Sequence, residues 1–320
     1  EFEQAKVSGF YVRGVCLCFS KGVNRFRHPA RCTHVKRLRG GRETFRQFDV
    51  GSRNLKLGDA GAKVIIVARG IEKLEETRVE IEAAGGKVHL YQCDLADMAD
   101  CDRLVAAVLK DHGHVDVLVN NAGRSIRRSI ALSFDRFHDF ERTMQLNYFG
   151  SLRLIMGFLP MMRKNHSGHV INISSIGVLS NAPRFSAYVA SKSALDAFSR
   201  CASSEFCDEG IAFTTINMPL VRTPMIAPTK MYEQVPTISP AEAADMIGDA
   251  VIRRPHRIAT RLGIFSQVLH SLFPKVGETV MNTAYRMFPD SAAATGDKLP
   301  EAKPSNEMIA FASLMRGIHW

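Results

Sequence analysis

The stretch "AKVIIVARGIEKLEETRVEIEAAGGKVHLYQCDL", residues 62–95, decides the fold class of this chain. It opens with an apolar run of strand length and continues with apolar residues at helical spacing. Gly85 and Gly86 end that helix, and a second strand follows. Strand, helix and strand in this order form the unit from which parallel sheets are built.

The alternation of helices and strands continues toward the C-terminus. Apolar strands such as "VIIVA" and "VDVLV" suit a sheet that is covered on both faces. The sequence therefore predicts an α/β fold with a doubly wound parallel sheet in a single domain. The further predicted elements are a helix at 97–113, a strand at 115–123, a long helical stretch at 134–165, a strand at 168–175, a helix at 188–209 and a strand at 211–219.

The positive charge of the chain is concentrated at its N-terminus. The net charge is +10 over 320 residues, and residues 1–53 alone hold twelve Lys or Arg against four Asp or Glu. That segment shows neither strand nor helix periodicity. We predict an atypical basic segment at 1–53, a sheet domain at 54–260 and a helical C-terminal extension at 261–320.

Cysteine usage and hydropathy indicate the setting. The seven cysteines form no CxxC pair and no disulfide framework, which favours a reducing compartment. No apolar run is long enough to span a membrane, and no signal-peptide pattern opens the chain. We expect a soluble, cytoplasmic protein. No metal site is expected.

Polar and turn-forming residues follow the predicted strands. In open parallel sheets, ligands bind outside the carboxyl ends of the strands, so these residues are candidates for a site. They are Arg69, Asp94, "NNAG" at 120–123, Ser174 with Ser175, and Met218 with Pro219.

The motifs that follow extend this set in a specific order. Asn147 lies in "QLNYFG", Ser175 precedes Tyr188 by thirteen residues, and Tyr188 precedes Lys192 by four. With "NNAG", this order and spacing resembles the short-chain dehydrogenase/reductases over about residues 54–260. The resemblance implies a Rossmann-type domain that binds a nicotinamide dinucleotide.

The resemblance implies four catalytic residues. Tyr188 would exchange a proton with a substrate oxygen, and Lys192 would lower the phenol pKa from about 10 and hydrogen-bond the nicotinamide ribose. Ser175 would hold the substrate carbonyl. Asn147 would support a water chain from the lysine, the alternative being a polar group that merely satisfies a helix kink.

The resemblance also implies cofactor contacts. Asp94 would bind the adenine, or simply cap a helix, and Leu95 would pack beside the ring. Arg69 suits the 2′-phosphate of NADPH and so favours NADP over NAD, unless it is an ordinary surface arginine. The remaining contacts would come from Asn121, Ala122, Gly123, Tyr188, Lys192, Pro219, Val221 and Thr223.

Two departures from the family pattern stand out. Leu220 follows Pro219 where the family commonly has glycine, and the glycine-rich turn TGxxxGxG is missing. Its three glycine positions fall on Thr44, Phe48 and Val50. We therefore expect the first strand and this turn to be missing or aberrant and dinucleotide binding to be weak. A shifted reading frame over about the first fifty residues is our hypothesis for both the break and the odd composition.

Further stretches resemble the C-terminal reductase domain of bacterial fatty acyl-CoA reductases. They are "GRSIRRSI", "MPLVRTPMIAPTKMY" and "MRGIHW". This implies a long-chain fatty aldehyde or acyl-CoA-derived substrate. Residues 225–288 would form a lid over the apolar tail, or else pack in the core or at a dimer contact. The family usually forms oligomers through the helices at 135–165 and 188–209.

Other functional classes remain open. A Rossmann-type remnant without its phosphate turn could act as a structural or interaction domain. Nucleic-acid binding rests only on the basic segment at 1–53, which shows no recognition helix and no interleaved aromatic residues, so no nucleic-acid partner is expected.

Overall fold

The computed structural model describes residues 15–19, 62–223, 237–288 and 290. A seven-stranded sheet forms its centre, in the order β3-β2-β1-β4-β5-β6-β7. All neighbouring strands are parallel except at β1, so the predicted doubly wound sheet is confirmed. The strands are β1 Val15–Phe19, β2 Lys63–Ala68, β3 Lys87–Gln92, β4 Val117–Asn120, β5 Gly168–Ser175, β6 Ile211–Met218 and β7 Arg257–Ala259.

Helices cover both faces of the sheet. The long helical stretch predicted at 134–165 consists of two helices joined by a π-helical turn at Gln145–Gly150. Within the described ranges, no helix is long and apolar enough to cross a membrane. The helices are α1 Ile71–Ala83, α2 Met98–His112, α3 Phe137–Met144, α4 Ser151–Lys164, α5 Ile176–Ser180, α6 Ser186–Phe206, α7 Pro240–Arg253, α8 Arg261–Leu272 and α9 Pro274–Met287.

Local sequence signals explain several helix starts. Asp97 caps α2, because its side chain accepts from the N–H groups of Ala99 and Asp100. Ser239 and Glu242 form a reciprocal capping box at α7, and Pro240 takes its first position. These caps set the residues at which α2 and α7 begin.

The central strand β1 runs antiparallel to both of its neighbours. Val15 pairs with Val67 and Asn120, whereas Phe19 pairs with Lys63 at the other edge of the sheet. We expected the first strand to be missing or aberrant, and a central strand that runs antiparallel to both neighbours does not contradict that expectation. The apolar run "VCLCF" has strand length and fills the gap between β2 and β4. The predicted glycine positions Thr44, Phe48 and Val50 lie outside the described residues.

The core lies on both faces of the sheet. One cluster includes Ile65, Leu118 and Phe158, and a second includes Ile171 and Ile216. The π-helical turn passes close to the end of β3, since a Cβ on Gly150 would lie 2.2 Å from the carbonyl oxygen of Leu95. Glycine at position 150 therefore lets the turn approach the strand ends, where the candidate site lies.

Candidate active site

Tyr188 and Lys192 lie one helical turn apart near the start of α6. Lys192 is only 3% exposed, and its Nζ donates to the carbonyl oxygen of Ile173 at 2.7 Å. Burial lowers the pKa of this ammonium to about 8. Lys192 is therefore mainly charged at neutral pH but can lose its proton far more easily than a surface lysine.

Asn147 joins α6 to the turn after β4. Its Oδ1 accepts from the N–H of Arg124 at 2.8 Å, and its Nδ2 donates to the carbonyl of Arg124 at 2.9 Å. The same Nδ2 donates to Ser191 Oγ at 2.9 Å, and Ser191 Oγ donates to the carbonyl of Tyr188. The buried amide thus satisfies the π-helical turn and also positions the segment that carries Tyr188 and Lys192.

Gly123 lies against these two side chains. A Cβ at this position would be 3.3 Å from Lys192 Nζ and 3.4 Å from Asn147 Oδ1. Such contacts are tighter than most that a real Cβ makes. The last residue of "NNAG" therefore lacks a side chain because the lysine ammonium and the asparagine amide occupy the adjacent space.

Ser175 ends β5 and lies at the same edge of the sheet. Its Oγ accepts from the N–H of Gly177 at 3.1 Å, which caps α5, and its carbonyl accepts from Asn217 Nδ2 at 3.2 Å. Because Oγ acts as an acceptor in that cap, its hydrogen can still be donated to a carbonyl oxygen. The backbone of the serine is fixed from two sides.

Arg69 and Asp94 lie beside each other at the ends of β2 and β3. Arg69 Nη1 is 3.8 Å from Asp94 Oδ2, and both side chains are about half exposed. Asp94 Oδ1 also accepts from the N–H of Ala96, so the carboxylate does fix the local turn. The next residue, Leu95, is buried in the core, where it packs with the π-helical turn.

The other predicted contacts lie along the same edge. Ala122 and Pro219 are buried, and Asn121 is partly exposed. A backbone bridge joins Val221 to Ile238 and fixes the path of the chain after β6. Thr223 Oγ1 donates to the carbonyl of Val221.

Two residues of the site escaped the sequence analysis. Ser191 links Asn147 to Tyr188, and the carbonyl of Ile173 receives the lysine ammonium. Ser191 could have been found, because it lies beside Lys192 in the motif and falls on the buried face of an amphipathic helix. The Ile173 carbonyl carries no sequence signal, since any residue supplies a backbone oxygen.

The described residues fit a nicotinamide dinucleotide at its two ends. The buried lysine and the backbone of Gly123, which carries no side chain, suit a nicotinamide ribose, and Arg69 with Asp94 offers charges and acceptors to an adenosine. The pyrophosphate of the cofactor lies between these two ends, and its binding depends on the direction of β1. In a parallel first strand, a turn at the site edge would supply N–H groups, but here the chain leaves β1 at the opposite edge, beside Lys63.

Fold and site together are those of a dinucleotide-dependent oxidoreductase. A sequence model of the short-chain dehydrogenases matches residues 54–233. The chain belongs to the short-chain dehydrogenase/reductase family of enzymes, which bind a nicotinamide cofactor and act on small molecules.

Three individual relatives show the extent of the similarity. A fatty acyl-CoA reductase of Acinetobacter baylyi is 53% identical over 83% of this chain and 89% of its own length. A short-chain dehydrogenase from Streptomyces avermitilis is 28% identical, with a TM-score of 0.62 over 74% of this chain and 94% of that one. A metagenomic short-chain oxidoreductase in complex with NADP is also 28% identical, with a TM-score of 0.54 over 64% of this chain and 85% of that one. The expected similarity to bacterial fatty acyl-CoA reductases is thereby confirmed.

Proposed function

We propose that this site reduces the carbonyl of a long-chain fatty aldehyde or acyl-CoA-derived substrate, with NADPH as cofactor. The observation that carries the proposal is the buried Lys192, which lies one helical turn from Tyr188. Gly123 lies against both Lys192 and Asn147. The printed name of the Acinetobacter relative supports the lipid substrate. Arg69 and the NADP in the metagenomic relative support the choice of cofactor.

Each residue of the site has its own role in the proposed reaction. When bound, the cofactor supplies the hydride to the carbonyl carbon. Ser175 donates a hydrogen bond to the carbonyl oxygen, and the hydroxyl of Tyr188 gives that oxygen a proton. The ammonium of Lys192 stabilises the phenolate that remains, because it lies on the same helical face. Asn147 holds α6 and the "NNAG" turn in place around these side chains.

We further propose a homo-oligomer in the cytoplasm. The helices α3 and α4 and the turn between them expose Phe137, Phe149 and Met156, which suits a helix-to-helix contact between copies. The scattered free cysteines suit a reducing compartment. Light scattering coupled to size exclusion measures the oligomeric state.

The direction of β1 favours a second candidate, a Rossmann scaffold that has lost catalysis. Because β1 is reversed, its last residue, Phe19, lies beside Lys63 at the edge opposite the site. We expect this chain to bind NADPH weakly and to turn over slowly. Fluorescence titration with NADPH measures the first quantity, and aldehyde-dependent NADPH oxidation measures the second.

One engineered chain separates the two candidates. In what we call the turn graft, a family-like first strand and the turn TGASSGIGRATA replace residues 1–54. If the site is catalytic, the graft binds NADPH and reduces a long-chain aldehyde. If the graft binds NADPH but reduces none, the scaffold is structural. Micromolar NADPH binding by the unmodified chain would show that the glycine-rich turn is dispensable.

A further inference from the structure

The pair of helices α8 and α9 exposes an unusual amount of apolar surface. Half of the large apolar side chains that the described residues expose lie on this pair and its connection. Phe265 is 61% exposed and Leu272 is 66% exposed. The full set is Ile264, Phe265, Val268, Leu272, Phe273, Val276, Val280 and Tyr285. Such a concentration indicates a binding surface, because single exposed apolar residues are normally scattered.

Six of these side chains form an apolar face on the helix pair, three from α8 and three from the connection and α9. On α8 they are Phe265, Val268 and Leu272, with spacings of three and four residues. The connection and α9 contribute Phe273, Val276 and Val280 with the same spacings. We call these six residues the apolar patch.

Both ends of the helix pair are fixed beside the candidate active site. Gly263 at the start of α8 lies against α5, since a Cβ there would be 2.9 Å from Leu179 Cδ1. Beyond α9, Asp290 pairs with Arg184 at 2.8 Å, four residues before Tyr188. The Arg184 guanidinium also lies 3.9 Å from the centre of the Tyr285 ring.

The connection between the helices is distant from that fixed end. At about 1.5 Å per residue, α8 places Leu272 roughly 17 Å along the helix from Arg261. Gly277 keeps the two helices close, because a Cβ there would lie 3.0 Å from His270 Nδ1. The patch therefore sits on a helical hairpin whose open end adjoins the site.

Charge around the patch indicates the kind of partner. Residues 253–287 carry six Lys or Arg and a single acidic residue, Glu278. Asp249 and Asp196 pair with two of the arginines, Arg253 and Arg257, and the surface keeps a positive balance. The rest of 54–320 is slightly acidic by the same count. A positive rim around an apolar face suits a negatively charged surface.

We propose that the apolar patch docks onto a lipid surface that carries anionic phospholipid headgroups. The aromatic and aliphatic side chains enter the boundary between headgroups and acyl chains, and Arg261 and Arg286 attract the headgroups, whereas Lys275 pairs with Glu278. A second copy of the chain is the less favoured occupant, because a symmetric contact would bring two positive surfaces together. This inference goes beyond the proposed reaction and needs no turnover.

Vesicle flotation with the full chain tests the proposal. The vesicles contain phosphatidylcholine alone, or phosphatidylcholine with about a third phosphatidylglycerol. We expect flotation with the second type only, and weaker flotation at about 0.5 M salt. Leu272→Ser/Phe273→Ser should weaken flotation at least about tenfold, because it removes the two side chains at the tip of the hairpin.

Matched variants complete the test. Val79→Ser/Ile252→Ser removes two comparably exposed apolar side chains from α1 and α7 and should leave flotation unchanged. Arg261→Glu/Arg286→Glu should abolish the preference for phosphatidylglycerol, whereas Arg200→Glu on α6 should not. Circular dichroism verifies that each variant is folded. The proposal is overturned if the wild-type chain does not float, or if light scattering shows that the patch variant only converts a dimer to a monomer.

Discussion

The side-chain amide of Asn147 donates to Ser191 Oγ at 2.9 Å, and Ser191 Oγ donates onward to the carbonyl of Tyr188 at 2.7 Å. This pair connects the π-helical turn with the first turns of α6. Ser191 lies next to Lys192, so its hydroxyl fixes the segment that holds Tyr188 and Lys192, the two side chains proposed to take part in the reaction.

Ser191→Ala should therefore impair catalysis more than folding. We expect about 1 kcal/mol less stability from the lost hydrogen bond and roughly tenfold slower turnover in the turn graft. Ser199→Ala is the matched control, because that buried hydroxyl of α6 accepts from Asn172, away from Tyr188. Urea unfolding and steady-state kinetics measure the two effects. Equal losses of turnover in both variants would contradict a positioning role for Ser191.

Tyr188→Phe removes the proposed proton donor and keeps the ring. Aldehyde reduction by the turn graft should fall by at least about 10², while the NADPH dissociation constant stays near that of the parent. Tyr91→Phe is the control, because its hydroxyl pairs with Asp111 on the surface. Substantial residual turnover after Tyr188→Phe would mean that another group donates the proton.

Gly123→Ala tests the crowding around the lysine. The new methyl group would press on Lys192 Nζ and Asn147 Oδ1, so we expect turnover to fall at least about tenfold as both shift. Gly248→Ala on α7 has open space around it and should instead stabilise the helix by about 0.5–1 kcal/mol. Kinetics and thermal unfolding distinguish these outcomes. Unchanged turnover for Gly123→Ala would show that the ammonium has room to move.

Arg69→Asp tests the choice of cofactor. The change replaces a cation with a carboxylate beside Asp94, so NADPH affinity should fall much more than NADH affinity. Arg78→Asp, which disrupts a surface pair with Glu75 on α1, should affect neither. Fluorescence titrations of the turn graft and of both variants in it give the dissociation constants for NADPH and NADH. A parallel loss for both cofactors would exclude a contact with the 2′-phosphate.

Lys192→Met should change how stability depends on pH. Burial lowers the lysine pKa to about 8, below the value of about 10.4 in an unfolded chain. Between these values the unfolded chain binds more protons, so the lysine's contribution to the free energy of unfolding rises with pH. Below pH 8, the buried charge destabilises the fold by a constant amount on the order of 3 kcal/mol.

Lys192→Met should therefore be more stable than wild type at pH 7.5. The difference in the free energy of unfolding should be smaller at pH 10. Urea unfolding at both pH values gives the comparison. Lys275→Met, at an exposed position of α9, should show no such trend. A stability difference independent of pH would mean that the ammonium of Lys192 is solvated in the folded state.

Periodicity was sufficient to predict most of the sheet. The run "VIIVA" and the "VLV" of "VDVLV" are buried strand segments, because a sheet covered on both faces favours apolar side chains. The spacing of Tyr188 and Lys192 likewise placed them on one helical face. The site itself depends on contacts between residues far apart in sequence, such as Asn147 with Arg124, which spacing alone does not encode.

Two features could not be predicted from the sequence. A π-helical turn inside a long apolar helix has no simple pattern, and it arises where Asn147 and Gly150 meet the strand ends. The direction of β1 was also unpredictable, because an apolar run of five residues pairs equally well in either sense. The boundaries at 53 and 260 stay predictions.

The reversed strand β1 also bears on solubility. It bonds to β2 on one side and to β4 on the other, and so joins a two-stranded piece to a four-stranded piece. Without Val15–Phe19, both pieces would present bare strand edges in the middle of the molecule. Bare edges recruit strands from other molecules. Proteolytic loss of this short segment would therefore turn the folded chain into a template for aggregation.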